Sequence, residues 1–177
     1  MTGLGVVLLG SVAIAAVSTL GDFIWATWLP QHRTVYGLIH GTLLFCAIGL
    51  FLGTLAARAA AGAAVGAAIG ALAAGAFYVL APAVGYSAMF VVWVGVWMAL
   101  GLLYARLSGT PINAVGAAHA SPLYRGAIAA IASGLAFYLI SGIWRPFDPE
   151  GWDYAVHLGA WTLAYFSGFA ALLLARR

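Results

Sequence analysis

The sequence predicts an all-α integral membrane protein: one domain, a bundle of six transmembrane helices with both termini cytoplasmic. Three observations predict it. Hydrophobic residues make up 65% of the 177-residue chain and charged residues 6%, against roughly 45–50% and 25% in soluble domains. The apolar residues divide into about six stretches, each near the ~20 residues that cross a bilayer as helix. Once those stretches are assigned as spans, arginines and acids segregate to opposite sides.

The spans fall at about 4–29, 34–56, 59–83, 86–106, 124–144 and 154–175, with ends uncertain by ~2–4 residues. The first lacks a basic start and a clear small-residue cleavage site, so it reads as a retained helix and not a signal peptide. Short connections at Pro30 to Arg33 and around Arg58 make successive helices antiparallel neighbours. Longer polar loops run from Ser108 to Pro122 and from Arg145 to Asp153. Arg58, Arg106, Arg125, Arg176 and Arg177 then share one side. Arg33, Arg145 and all the acids (Asp22, Asp148, Glu150 and Asp153) lie on the other. The positive-inside rule puts the first side, with both termini, in the cytoplasm. Lysine is absent and alanine and glycine abound, which points to a GC-rich coding sequence and a bacterial plasma membrane. Scattered arginines make no nucleic-acid surface. Cys46 is the lone cysteine, so no intrachain disulfide forms.

The third span is the most unusual. Gly62, Gly66 and Gly70 recur every four residues within Ala59 to Ala76, forming one smooth ridge on a helix. In water each glycine would cost roughly 1 kcal/mol against alanine. In lipid the backbone must bond to itself, so helix is forced and small side chains admit close neighbours. A helix this thin is expected in the middle of the bundle, where it leaves room, or at a subunit contact in a homo-oligomer.

Polar and aromatic stripes mark the other helices at helical spacing. The first carries Ser11, Ser18, Asp22 and Trp25; the fourth Phe90, Trp93, Trp97, Gly101 and Tyr104. The fifth carries Ser133, Phe137, Ser141 and Trp144, and the sixth Asp153, His157, Trp161 and Tyr165. Trp25, Trp28, Trp144 and Trp152 lie near span ends, as an interfacial belt requires. Trp97 falls mid-span, where its indole N–H wants a partner that lipid tails cannot supply. The stripes facing a thin third helix suggest a shared pocket, with Phe77, Trp93, Trp97, Ser133, Phe137 and Ser141 as its contacts.

Asp22, His40 and His157 gather at one depth. Asp22 and His40 sit about six or seven residues inside the outer ends of their spans, on the order of 10 Å at 1.5 Å per residue. An intramembrane acid costs at least ~2.5–3.5 kcal/mol and is a site by default. Asp22, His32, His40 and His157 are metal-ligand types, but no two histidines have a close helical spacing. Asp22 with either His40 or His157 is an acid/base pair, but no nucleophile motif or phosphate loop accompanies it. The simplest reading is a hydrogen-bonded set joining the first, second and sixth helices, with Arg33 or Arg145 as counter-ion. The expectation is therefore no catalytic residue, no metal and no cofactor. His119 reads as a solvated loop residue, and Asp148, Glu150 and Asp153 lack the spacing of a calcium loop.

The second half of the chain resembles the Insig family, six-span membrane proteins that bind oxysterols and retain a sterol-sensing escort protein in the endoplasmic reticulum. The resemblance rests on Val96 to Gly109 (VWMALGLLYARLSG), Ala136 to Trp144 (AFYLISGIW), Asp148-Pro149, Tyr165 to Gly168 (YFSG) and Arg176. The first half is similar only in span count and orientation. The resemblance implies a prokaryotic Insig-like protein that binds a lipid or sterol-like amphiphile in an intramembrane cavity without catalysis. A glycerolipid is the expected ligand in a bacterium. The family's animal members carry an important aspartate just past the third span; here Ala83-Val84-Gly85-Tyr86 holds no acid, so partner binding of the animal kind does not transfer. Length and span count also suit two other classes. One is the substrate-binding membrane subunit of a modular vitamin transporter; the other is a small intramembrane enzyme using Asp22, His40 and His157.

Overall fold

The computed structural model describes residues 3–24, 29–110, 121–141 and 151–174, the side chains of Pro30, Tyr86, Tyr138, Ile140 and Ser141 excepted. The described residues form six α-helices and no strand: α1 (Gly3–Phe23), α2 (Arg33–Leu55), α3 (Ala59–Val84), α4 (Ala88–Leu107), α5 (Pro122–Ser141) and α6 (Asp153–Leu173). All but α5 are long and apolar enough to cross a membrane; the apolar stretch of α5, Pro122–Phe137, is shorter. Trp25, Trp28, His119, Trp144, Arg145, Asp148, Glu150, Arg176 and Arg177 lie outside the described residues.

Local chemistry sets the helix ends. The first helix was expected to reach residue 29, but Leu29 is already outside it and a 3-10 turn follows at Pro30–His32. Proline disfavours helix in the residue before it and has no N–H to continue the ladder. The end of α3 is set by Gly85, at φ +62° and ψ −148°, a conformation open essentially to glycine alone. Between α2 and α3 the chain reverses in three residues. The Arg58 N–H bonds the Gly53 carbonyl at 2.7 Å and Ala57 adopts φ +55°, the left-handed end of a Schellman-type cap.

Consecutive helices pack side by side, and α1 meets α6 to close the ring. Gly3 lies against Leu174, so α1 begins and α6 ends at one end of the bundle, the near end below. Here the Arg125 guanidinium donates to the Leu172 carbonyl, satisfying an end group of α6. The core runs down the middle: Val7 of α1, Ile48 and Leu52 of α2, Trp97 and Leu100 of α4, Tyr165 and Phe169 of α6.

The glycine ridge is not at the centre. The buried residues of α3 are Gly62, Gly66 and Gly70 alone, while Val65, Leu72 and Val79 are exposed. The ridge faces a second one on α2. A Cβ on Gly62 would overlap the Gly49 carbonyl oxygen, one on Gly66 that of Phe45, and one on Gly70 that of Gly41. Gly49 meets Gly62 in return, and Gly53 meets Arg58 and Gly62. Two antiparallel backbones thus touch at successive turns from Gly41 to Gly53, with no side-chain atom beyond the Cβ of Phe45 and Ala74 against these glycines. The expectation of a thin central helix that leaves room is corrected: α3 is peripheral, and α2 of the same chain fills its groove.

Candidate functional site

Two features remain after the core is accounted for: a polar cluster and an apolar crevice. Both lie in the far half of the bundle, where α1 ends and α6 begins.

The cluster centres on Asp22, one residue before the end of α1. His157 Nε2 lies 2.8 Å from Asp22 Oδ2, and Trp161 Nε1 donates to the same oxygen at 2.9 Å. His157 and Trp161 are four residues apart on α6, so they share a face. Trp161 Nε1 also lies 3.1 Å from His157 Nε2. The indole nitrogen can only donate, and Asp22 Oδ2 is an acceptor within reach of both rings. His40 of α2 approaches from the other side, its Nε2 3.8 Å from Asp22 Oδ1. It can do so because Gly21 has no side chain; a Cβ there would overlap the His40 ring. One turn deeper, the Ser18 and Tyr165 hydroxyls bond at 2.8 Å, both buried.

The expected set joining the first, second and sixth helices is therefore present, with Trp161 as a member the sequence reading had placed only on a stripe. Of the two expected counter-ions, Arg145 lies outside the described residues. Among the described residues, Asp22 pairs with the two histidines and not with Arg33. No group of three metal-ligating side chains close enough to hold an ion occurs among them.

The crevice opens between α4 and α5, with α6 as its floor and a volume of about 270 Å³. Glycine placement explains its shape. At the near end the helices touch backbone to backbone: a Cβ on Gly101 would overlap the Pro122 carbonyl, and one on Gly126 would come within 2.6 Å of the Trp97 carbonyl and of Met98 Cα. Toward the far end Trp93 stands between the helices, and a Cβ on Gly134 would meet only that indole, at 3.9 Å. Held together at one end and wedged at the other, the pair leaves a gap walled by Phe90, Trp93 and Val94 on α4 and by Ile131, Gly134 and Phe137 on α5. Trp161 forms the floor, with the Phe137 ring tilted over it by 40° at 4.5 Å between ring centroids.

Of the six expected pocket contacts, Trp93 and Phe137 line this crevice. Trp97 does not; it is 1% exposed, at the centre of the core, its ring over Gly168 and edge-on to Phe169 at 5.6 Å. Ser133 is also fully buried, on the face of α5 turned from the crevice. Phe77 is half-buried on α3 against Tyr78, away from the crevice, and the Ser141 side chain lies outside the described residues. Ser133 Oγ, Trp93 Nε1 and Trp97 Nε1 have no hydrogen-bond partner among the described residues. Trp97 and Ser133 are thus part of the packed core, and the crevice lies at its flank.

No protein-family model, characterised protein or solved structure matches this chain. Function must be argued from the cluster and the crevice themselves.

Proposed function

We propose that the chain is a non-enzymatic membrane protein of six spans, termini in the cytoplasm, that holds a lipid or sterol-like amphiphile in the crevice between α4 and α5. The observation that carries this reading is an apolar, aromatic-floored gap on a helix pair whose other end is closed by glycine contact. Ligand sites are apolar clefts of about 300–1,000 Å³, and a gap of about 270 Å³ suits one chain or ring system with its remainder among bilayer lipids. A bacterial glycerolipid is the simplest occupant. The Insig-like order of motifs in the second half of the chain supports binding without catalysis.

Gly134 gives the test. A Cβ there makes only an ordinary contact, with Trp93 at 3.9 Å, so Gly134→Leu is expected to fill the crevice. Native mass spectrometry of the detergent-purified protein should find one amphiphile per chain on the wild type and none on Gly134→Leu, with equal helicity by circular dichroism. A wild-type protein without stoichiometric amphiphile would overturn the reading.

A second reading, a small intramembrane enzyme, draws on one observation: Asp22 holds the His157 ring at 2.8 Å, as an acid orients a general base. The nearby Ser18 hydroxyl is already bonded to Tyr165, so a water or a substrate group would have to be the nucleophile. Turnover lost in Asp22→Asn with amphiphile binding intact would favour this reading over the first.

A further inference from the structure

The crevice and the cluster share a wall. Trp161 presents its ring to the crevice and its Nε1 to Asp22. Phe137 lines the crevice and meets the His157 ring edge-on at 6.3 Å. The carboxylate therefore stands one indole away from an apolar ligand's flank, at the same end of the bundle.

Asp22 is unevenly used. His157 and Trp161 both engage Oδ2, while Oδ1 has only the His40 nitrogen at 3.8 Å, beyond hydrogen-bonding distance. The side chains of Asp22, His157 and His40 are 31%, 30% and 18% exposed, so a headgroup can reach them. No described arginine pairs with Asp22; its partners among the described residues are the His157, Trp161 and His40 rings. Aromatic faces gather nearby: the Tyr36 ring stacks parallel to His40 at 6.1 Å, and Trp161 and Phe137 border His157. Ring faces attract cations, and a carboxylate in a partly apolar setting repels phosphate and carboxylate headgroups.

The geometry points to an amphiphile with a protonated amine headgroup, bound by Asp22 Oδ1 while its apolar part lies in the crevice beyond Trp161. This inference rests on the crevice being an amphiphile site, and the experiment separates the two. The protein in phosphatidylcholine nanodiscs at about pH 8 is titrated with dodecylamine and with dodecanol, following tryptophan fluorescence. An alkyl ammonium resembles lysine, with a pKa near 10.4, and stays charged there. Dodecylamine should bind at least about tenfold more tightly than dodecanol, equivalent to about 1.4 kcal/mol. Asp22→Asn should bring the amine down to the alcohol's affinity and leave the alcohol unchanged, and Asp22→Glu should keep the preference. Gly134→Leu should abolish binding of both.

Equal binding of amine and alcohol by the wild type overturns the headgroup assignment and leaves the crevice reading standing. A preference that survives Asp22→Asn overturns it as well. Binding of neither compound overturns the crevice reading itself. Should Asp22→Asn lose dodecanol too, through misfolding, the wild-type ratio and Asp22→Glu still decide.

Discussion

Gly66→Ala adds one methyl group at the middle of the α2–α3 contact, and its effect follows from what the new Cβ meets. It would overlap the Phe45 carbonyl oxygen and lie 2.9 Å from Gly49 Cα. Both are backbone atoms of a helix, so no side chain can turn aside; the helices must part by about 0.5–1 Å. A separation of that size forfeits a quarter to a half of each atom-pair attraction of about 0.1–0.2 kcal/mol. With roughly 40 such pairs along the ridge, the loss is about 2 kcal/mol, within the usual 1–3 kcal/mol for overpacking. Alanine's helix propensity, worth roughly 1 kcal/mol in water, returns little in lipid, where the backbone is bonded either way. Gly75→Ala is the matched control on the same helix, since nothing lies within 4 Å of its Cβ. Thermal or SDS unfolding in detergent should place Gly66→Ala about 2 kcal/mol below Gly75→Ala, and Gly75→Ala at or slightly above the wild type. Equal stability of the two variants would refute the interlocked-ridge account.

Two buried serines should respond differently. Ser18→Ala strands the Tyr165 hydroxyl inside the core and should cost about 1–3 kcal/mol, whereas Ser133→Ala removes a hydroxyl with no partner among the described residues and should be neutral or stabilising; paired unfolding curves check both. Ala57→Gly relieves a left-handed alanine whose strain is roughly 1–2 kcal/mol, so it should raise the unfolding midpoint despite the added chain entropy. Trp161→Phe keeps an aromatic ring under Phe137 but deletes the donor to Asp22; with Asp22 partly exposed, the loss should be about 1 kcal/mol by the same unfolding assay.

Much of the fold is legible in the sequence because hydropathy and breakers act locally. The helix limits at Ala59, Val84 and Leu107 follow from apolar runs ended by Gly85 or by polar loops. The apolar run through Trp28 hides the end of α1 at Phe23. Asp22, His40 and His157 are legible as a cluster because depth can be counted at 1.5 Å per residue from each span end. Trp161 is harder to assign: an indole one turn from a histidine reads equally well as core until the partner carboxylate is placed. The ridge on α3 is plain, but its partner is not, since Phe45 interrupts the run of Gly41, Gly49 and Gly53 on α2. Phe45 is tolerated because its carbonyl, and not its ring, meets Gly66.

The position of the crevice follows from how each helix pair is matched along its length. Between α2 and α3 the glycines Gly41, Gly49 and Gly53 meet Gly62, Gly66 and Gly70 backbone to backbone, and beyond them the Tyr78 side chain fills the place beside Gly37. Between α4 and α5 small residues face each other only at Gly101 and Gly126; beyond them Trp93 meets Gly134, a large residue against an absent one. An indole wider than the glycine groove holds the backbones apart, but its own plane is too thin to fill the whole opening, and the space beside it becomes the crevice. A glycine opposite an aromatic ring does not by itself leave space, since Trp97 fills the place over Gly168 and Phe51 the place beside Gly10; the α4–α5 pair opens because a Cβ on Gly134 would come no closer than 3.9 Å to Trp93. The residues that define the candidate ligand site are for that reason Trp93 and Gly134, and not the glycine ridge that dominates the sequence.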